Sequence, residues 1–104
     1  MLLATKNTIE GKELKVLGLV KGNTIQTVNF VKDFKASLKT LIGGELKSYN
    51  EMMGKARDLA TSRMIDEAEQ LGADAIVALR FATASIMQNA AEIMVYGTAV
   101  KFLN

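Results

Sequence analysis

The sequence predicts one α+β domain, a two-layer subunit whose mostly antiparallel sheet carries two helices on one face. Three observations point there. Apolar, β-rich runs fill residues 14–20 and 75–81 and recur from 93 to 102. Between them, from residue 30 to 71, the apolar period changes from strand-like to helical. With 104 residues, 49% of them hydrophobic, the chain is sized for one core, so the domain spans 1–104.

Residues 1–5 read as a short strand, followed by turns at Lys6-Asn7 and Glu10-Gly11. Residues 14–20 form a longer strand closed by Gly22-Asn23, and 24–28 are β-branched and extended. Phe30, Val31, Phe34, Leu38, Leu41 and Ile42 then recur at helical spacing, with Lys32, Lys35 and Lys39 on another face. Asn29 suits the N-cap of this first helix, and Gly43-Gly44 ends it. A long second helix starts between Glu45 and Ser48, where Ser48 and Glu51 have capping-box spacing. Its apolar stripe is Tyr49, Met52, Met53, Ala56, Leu59, Ala60, Met64, Ala68 and Leu71. Gly72 stands where a left-handed C-cap belongs, and Gly54 inside the helix costs about 1 kcal/mol against alanine.

The last two strands meet at a hairpin marked by Gln88-Asn89. Ile93, Val95 and Ala99 fall on one face of the final strand, and Met94, Tyr96 and Val100 on the other. A strand apolar on both faces must be covered on both. Two helices can cover one face of the sheet, which leaves another copy of the protein as the expected cover for the other.

Composition narrows the chemistry. The chain has no histidine, cysteine, tryptophan or proline. It therefore has no imidazole base and no thiolate nucleophile. Zinc and divalent copper lose their usual soft or nitrogen donors, so no soft-metal site is expected. The thioethers of Met52, Met53 and Met64 suit monovalent copper, but their apolar helical stripe assigns them to the core. The absence of cysteine fits a reducing compartment, and Lys6 and Glu10 interrupt any signal-peptide pattern, so the expected location is cytoplasmic. Lysines crowd the first 47 residues, yet they lack interleaved aromatics and the whole chain has three arginines. A solvated face is expected there, and neither nucleic acid nor membrane is an expected partner.

Several fragments in order resemble a known family. They are Asn29-Phe30-Val31-Lys32-Asp33-Phe34, Gly43-Gly44, the helix with Tyr49 and Ala56-Arg57, the turn Leu71-Gly72-Ala73-Asp74-Ala75-Ile76-Val77, and Tyr96-Gly97-Thr98-Ala99-Val100. Together they resemble the YbjQ-like family, often labelled heavy-metal-binding. The resemblance implies a two-layer, dodecin-like subunit assembled as a ring-like homopentamer, with no established reaction. Two departures stand out. Glu45 and Leu46 replace an arginine and a serine common in the family after the paired glycines. The stretch Arg80-Phe81-Ala82-Thr83-Ala84-Ser85 replaces a commonly acidic one. Carboxylates that would form a metal site elsewhere in the family are missing from that stretch.

The expected role is a non-enzymatic, homo-oligomeric protein that takes a small ligand or a hard cation in pores or subunit clefts. The alternatives are a structural or interaction scaffold, and a heavy-metal binder as the family label suggests. No residue is assigned a catalytic role, and no cofactor is identified. Arg80 and Glu92 are the candidate ligand-binding residues: Arg80 interrupts an apolar strand, and Glu92 is the one acid of the last strand. Arg80 either pairs across a subunit interface or faces an anion. Glu92 is either a cation ligand or a charge partner of Arg80 or Lys101. Ile93, Val95 and Tyr96 are the candidate oligomer interface. Asp66, Glu67 and Glu69 diverge around a helix, so they read as solvated surface. One prediction follows from the missing donors. Calorimetry on untagged protein at neutral pH should find no stoichiometric, submicromolar binding of zinc, cadmium or divalent copper.

Overall fold

The computed structural model describes residues 1–27 and 47–104. Strand β1 is Leu2–Leu3, β2 is Leu14–Thr27, helix α1 is Lys47–Gln70, β3 is Ala75–Met87 and β4 is Ala90–Phe102. The four strands form one sheet in the order β1-β3-β4-β2. Only the short β1–β3 pairing is parallel; β3–β4 and β4–β2 are antiparallel. The expected first helix, with Lys32, Lys35 and Lys39, lies outside the described residues. The described residues therefore contain one helix on the sheet, α1.

Helix α1 covers β2 and β4. Its buried residues are Ala56, Ala60, Met64 and Ala68, a single ridge of every fourth residue. Three of the four are alanine, so the ridge is low and the helix backbone lies close to the sheet. Opposite it stands Gly22: a Cβ there would overlap the Ala60 carbonyl oxygen and lie 2.5 Å from the Met64 amide nitrogen. This corrects the expected turn at Gly22-Asn23. β2 continues unbroken to Thr27, because Gly22 makes room for a helix and does not end a strand. Arg63 donates to the Asn23 carbonyl at 2.7 Å on the exposed side of the same junction. Val20, Ile76, Leu79, Val95 and Ala99 complete this core.

A bulge decides which side chains reach that core. Val77 pairs with Thr98 and Arg80 with Tyr96, so Ala78 and Leu79 together oppose Gly97. Ala78 has φ 53°, and a Cβ on Gly97 would lie 2.6 Å from Ile76 Cγ2. The extra residue puts Leu79 on the helix side with Ile76, and sends Arg80 to the opposite face. This explains why residues 75–79 are apolar without alternation. Gly72 takes the expected left-handed conformation after α1, with φ 75°, and the hairpin turns at Gln88-Asn89 with Asn89 at φ 66°.

The face away from α1 is partly covered by the chain itself, which corrects the expectation that only another copy could do so. Ala75, Val77 and Val100 are buried there beneath Ile9, Leu14 and Phe102. The loop before β2 is fastened to the last residues of the chain. Glu13 N donates to Asn104 Oδ1 at 2.8 Å, Asn104 Nδ2 to the Gly11 carbonyl at 2.9 Å, and Leu103 N to the Glu13 carbonyl at 2.9 Å. Farther along, Leu19 (67% exposed), Ile25 (58%) and Tyr96 (38%) lie on this face without cover from the described residues.

Gly22 on β2 and Gly54 within α1 should respond oppositely to alanine. Gly22→Ala forces the helix off the strand and should cost about 3 kcal/mol or more, read by urea unfolding. Gly54 has no atom nearer its missing Cβ than Arg57 Nη2, at 3.9 Å. Gly54→Ala should stabilise by up to about 1 kcal/mol through helix propensity.

Candidate functional site

β4 alternates across the sheet, and so divides the candidate residues between two environments. Ile93 and Val95 are completely buried toward α1, within the core of the chain itself. Tyr96 points to the opposite, half-open face. There it stands in a row between Arg80 on β3 and Lys21 on β2. Tyr96 is thus the one of the three that an incoming surface can touch.

Arg80 is exposed at the β3 edge, and its Nη1 donates to the backbone carbonyls of Thr5 and Leu79, each at 2.8 Å. The same edge is tied by Ala78 N to the Lys6 carbonyl at 2.8 Å and Leu79 N to the Ala4 carbonyl at 3.1 Å. Arg80 therefore holds the segment after β1 to the bulge. Glu92 is half-buried, and its Oε2 accepts from Asn23 Nδ2 at 3.0 Å across the β2–β4 pair. The two candidate ligand residues are not brought together: Arg80 pairs with Tyr96, and Glu92 with Ala84 four residues farther along β3. Among the described residues no three of His, Cys, Asp and Glu cluster at metal-binding range. Asp74 has a structural task, its Oδ2 accepting from Phe102 N at 2.8 Å.

A cavity of about 400 Å³ lies at the covered end of the half-open face, beneath the loop that precedes β2. Its walls are mainly Val16, Val77 and Val100, with Asn7, Lys12 and Thr98 supplying polar groups. Lys12 is held at this end by its Nζ, 5.1 Å above the Phe102 ring and 3.2 Å from the Asn104 carbonyl. In the sequence nothing marks Asn7, Lys12 and Val16 as belonging together. Thr98 shares a face with Tyr96 and Val100, and that alternation was the one signal available. The loop residues carried none, since what folds them over the sheet is contact with Phe102, Leu103 and Asn104, about ninety residues away in the chain.

The fold belongs with a known group of small α+β domains. A crystal structure of a protein of unknown function, assigned to the DUF74 family, from Pediococcus pentosaceus superposes with a TM-score of 0.74. The match covers 98% of this chain and 97% of that one at 18% identity, and so speaks to the fold alone. A family model described as "Putative heavy-metal-binding" matches residues 1–103, and the chain belongs to this YbjQ-like family. Among its relatives, a UPF0145 protein of Clostridium novyi is 58% identical over 103 residues, 99% of this chain and all of that protein. Others from Thermosipho melanesiensis and Methanosarcina acetivorans are 55% and 49% identical. The first match covers 99% of this chain and 96% of that protein, the second 100% and 99%. None of the helices among the described residues is long and apolar enough to cross a membrane.

The family description can be set against the donors present. A zinc-type centre needs three or four nitrogen, sulfur or carboxylate ligands. The chain has no histidine or cysteine, and its described carboxylates do not converge. These residues do not fit such a centre.

Proposed function

We propose that this chain is a non-enzymatic binding subunit that assembles with copies of itself through the half-open sheet face. We further propose that it seats a small, largely apolar ligand in the cavity at the end of that face. The carrying observation is the exposed apolar surface of Val16 and Leu19 beside the cavity that Val16 lines, with Tyr96 and Ile25 farther along the same face. Exposed aliphatic and aromatic side chains spread over one sheet face, with Lys21, Arg80 and Glu92 among them, favour burial by a partner of the same kind. A copy docked there would also close the cavity mouth, giving the ligand a cleft between subunits. The homopentamer implied by the family resemblance is the assembly we propose. A reading as enzyme gains no support from side chains, since no imidazole or thiol exists and Arg80 and Glu92 stand apart.

Light scattering of untagged protein at micromolar concentration should report a mass near five chains of 11.3 kDa. A mass of one chain for folded protein would overturn the assembly. Tyr96→Asp should leave a folded monomer, because Tyr96 faces away from α1. Val95→Asp should unfold the chain at any concentration, because it places a charge in the helix-side core at a cost of several kcal/mol.

The cavity is in the size range of small-molecule sites, and its single ammonium favours an anionic end on an apolar body. Octanoate added to labelled protein should shift the Val77 and Val100 methyl resonances in saturable fashion. Val16→Phe, which fills the mouth from an exposed position, should abolish those shifts, and Lys12→Gln should weaken them. Saturable binding with Val16→Phe unchanged would argue against this seat. No binding of octanoate or of longer carboxylates would favour the scaffold reading.

A further inference from the structure

The sequence places Met52, Met53 and Met64 together on one apolar stripe, but the structure separates them. Met64 is fully buried in the core under α1. Met52 and Met53 are only half-buried, near the start of the helix. There they line a cavity of about 260 Å³ together with Met87, at the end of β3 beside the hairpin turn. Met87 is 68% exposed, so it is not core filler. Four of the six methionines of the chain thus serve two different environments, one in the core and three, from two separate elements, lining one small space.

We infer that this cavity is a binding site for a monovalent, soft d¹⁰ cation, copper(I) or silver(I), held by the sulfur atoms of Met52, Met53 and Met87. The chemistry of the lining selects the ion. Thioethers are soft, neutral donors that favour copper(I) over zinc, magnesium or calcium. Among the described residues the other polar side chains that line the cavity, Gln26, Tyr49, Ser85 and Asn89, are neutral, and none of them is a carboxylate. No group in the described lining compensates an ion's charge, so a single charge is the least costly to place there and a double charge costs far more. Met87, one of the cavity walls, is exposed to solvent, which provides entry.

The backbone accounts for the convergence. Met52 and Met53 follow Tyr49 by three and four residues, so all three lie toward one side of the first turns of α1. Met87 pairs with Ala90, directly before the Gln88-Asn89 turn, and the irregularity at Ile86 precedes it. That extra residue changes the side of the strand on which Met87 emerges. The site is independent of the octanoate cavity, which lies at the opposite end of β4 and shares no residue with it. It is also independent of the assembly, so its failure leaves that reading intact.

The test is an anaerobic titration of untagged protein with copper(I) against the chromophoric chelator bicinchoninate. The wild-type chain should withdraw one copper(I) per chain. Met87→Leu, a volume-conserving change at an exposed position, should weaken binding at least tenfold, and Met52→Leu/Met87→Leu should abolish it. Met94→Leu, on the other face of β4, should bind as wild type, with circular dichroism confirming the fold of each variant. X-ray absorption of the loaded protein should show a sulfur-dominated shell. Failure to compete with the chelator, wild-type affinity in the double variant, equal loss in Met94→Leu, or a shell of nitrogen and oxygen alone would each overturn the proposal.

Discussion

The close approach of α1 to β2 at Gly22 is the constraint on which the rest of this structure depends. The helix carries three alanines and Met64 toward the sheet, and the strand answers with a residue that has no side chain. Backbone meets backbone there, so little apolar volume is needed to fill the layer. A small domain gains from this, because it has few large side chains to bury. The approach also fixes which face of β4 is internal. Once Val95 and Ile93 lie under α1, alternation commits Met94, Tyr96 and Thr98 to the other face.

The bulge at Ala78-Leu79 is the second organising device. Without the extra residue, Leu79 would point away from α1 and Arg80 would be driven toward the helix-side core. With it, Leu79 joins Ile76 in the core, and the Arg80 guanidinium reaches the Thr5 carbonyl at the sheet edge. Gly97 accommodates the crowding, and Ala78 takes up the left-handed backbone that two residues opposing one require. The same displacement brings the Lys6 and Ala4 carbonyls into bonds with Ala78 and Leu79. The N-terminal segment is thereby carried along the sheet edge toward the loop that covers the valine-lined cavity.

The two sheet faces consequently differ in how they are satisfied. The face under α1 is closed by side chains and a helix backbone. The other is closed at one end by Ile9, Leu14 and Phe102, through hydrogen bonds that end on Asn104. Among the described residues nothing covers its far part, where Leu19, Ile25 and Tyr96 are exposed. This division also separates the two cavities, one walled by valines beneath a stapled loop and one walled by thioethers at the hairpin.

Much of this was legible in the residues, and the rest was not, for a physical reason. Periodicity found the long helix, the C-cap at Gly72, the Gln88-Asn89 turn and the alternation of β4, because each depends on neighbours within a few positions. The same local reading ended β2 at Gly22-Asn23, since a glycine inside a strand and a glycine in a turn look alike without the helix that needs the space. It grouped Met52, Met53 and Met64 as core, since a stripe gives a direction around a helix but not the depth of the surface it meets. It treated Arg80 as a charge seeking a distant partner, when two backbone carbonyls stood beside it. Sequence by itself determined the long helix, the last hairpin, the donors the chain lacks and the two faces of β4. Only the tertiary structure decided which side chains meet, because the bulge, the Gly22 contact and the Asn104 staple join residues far apart in the chain.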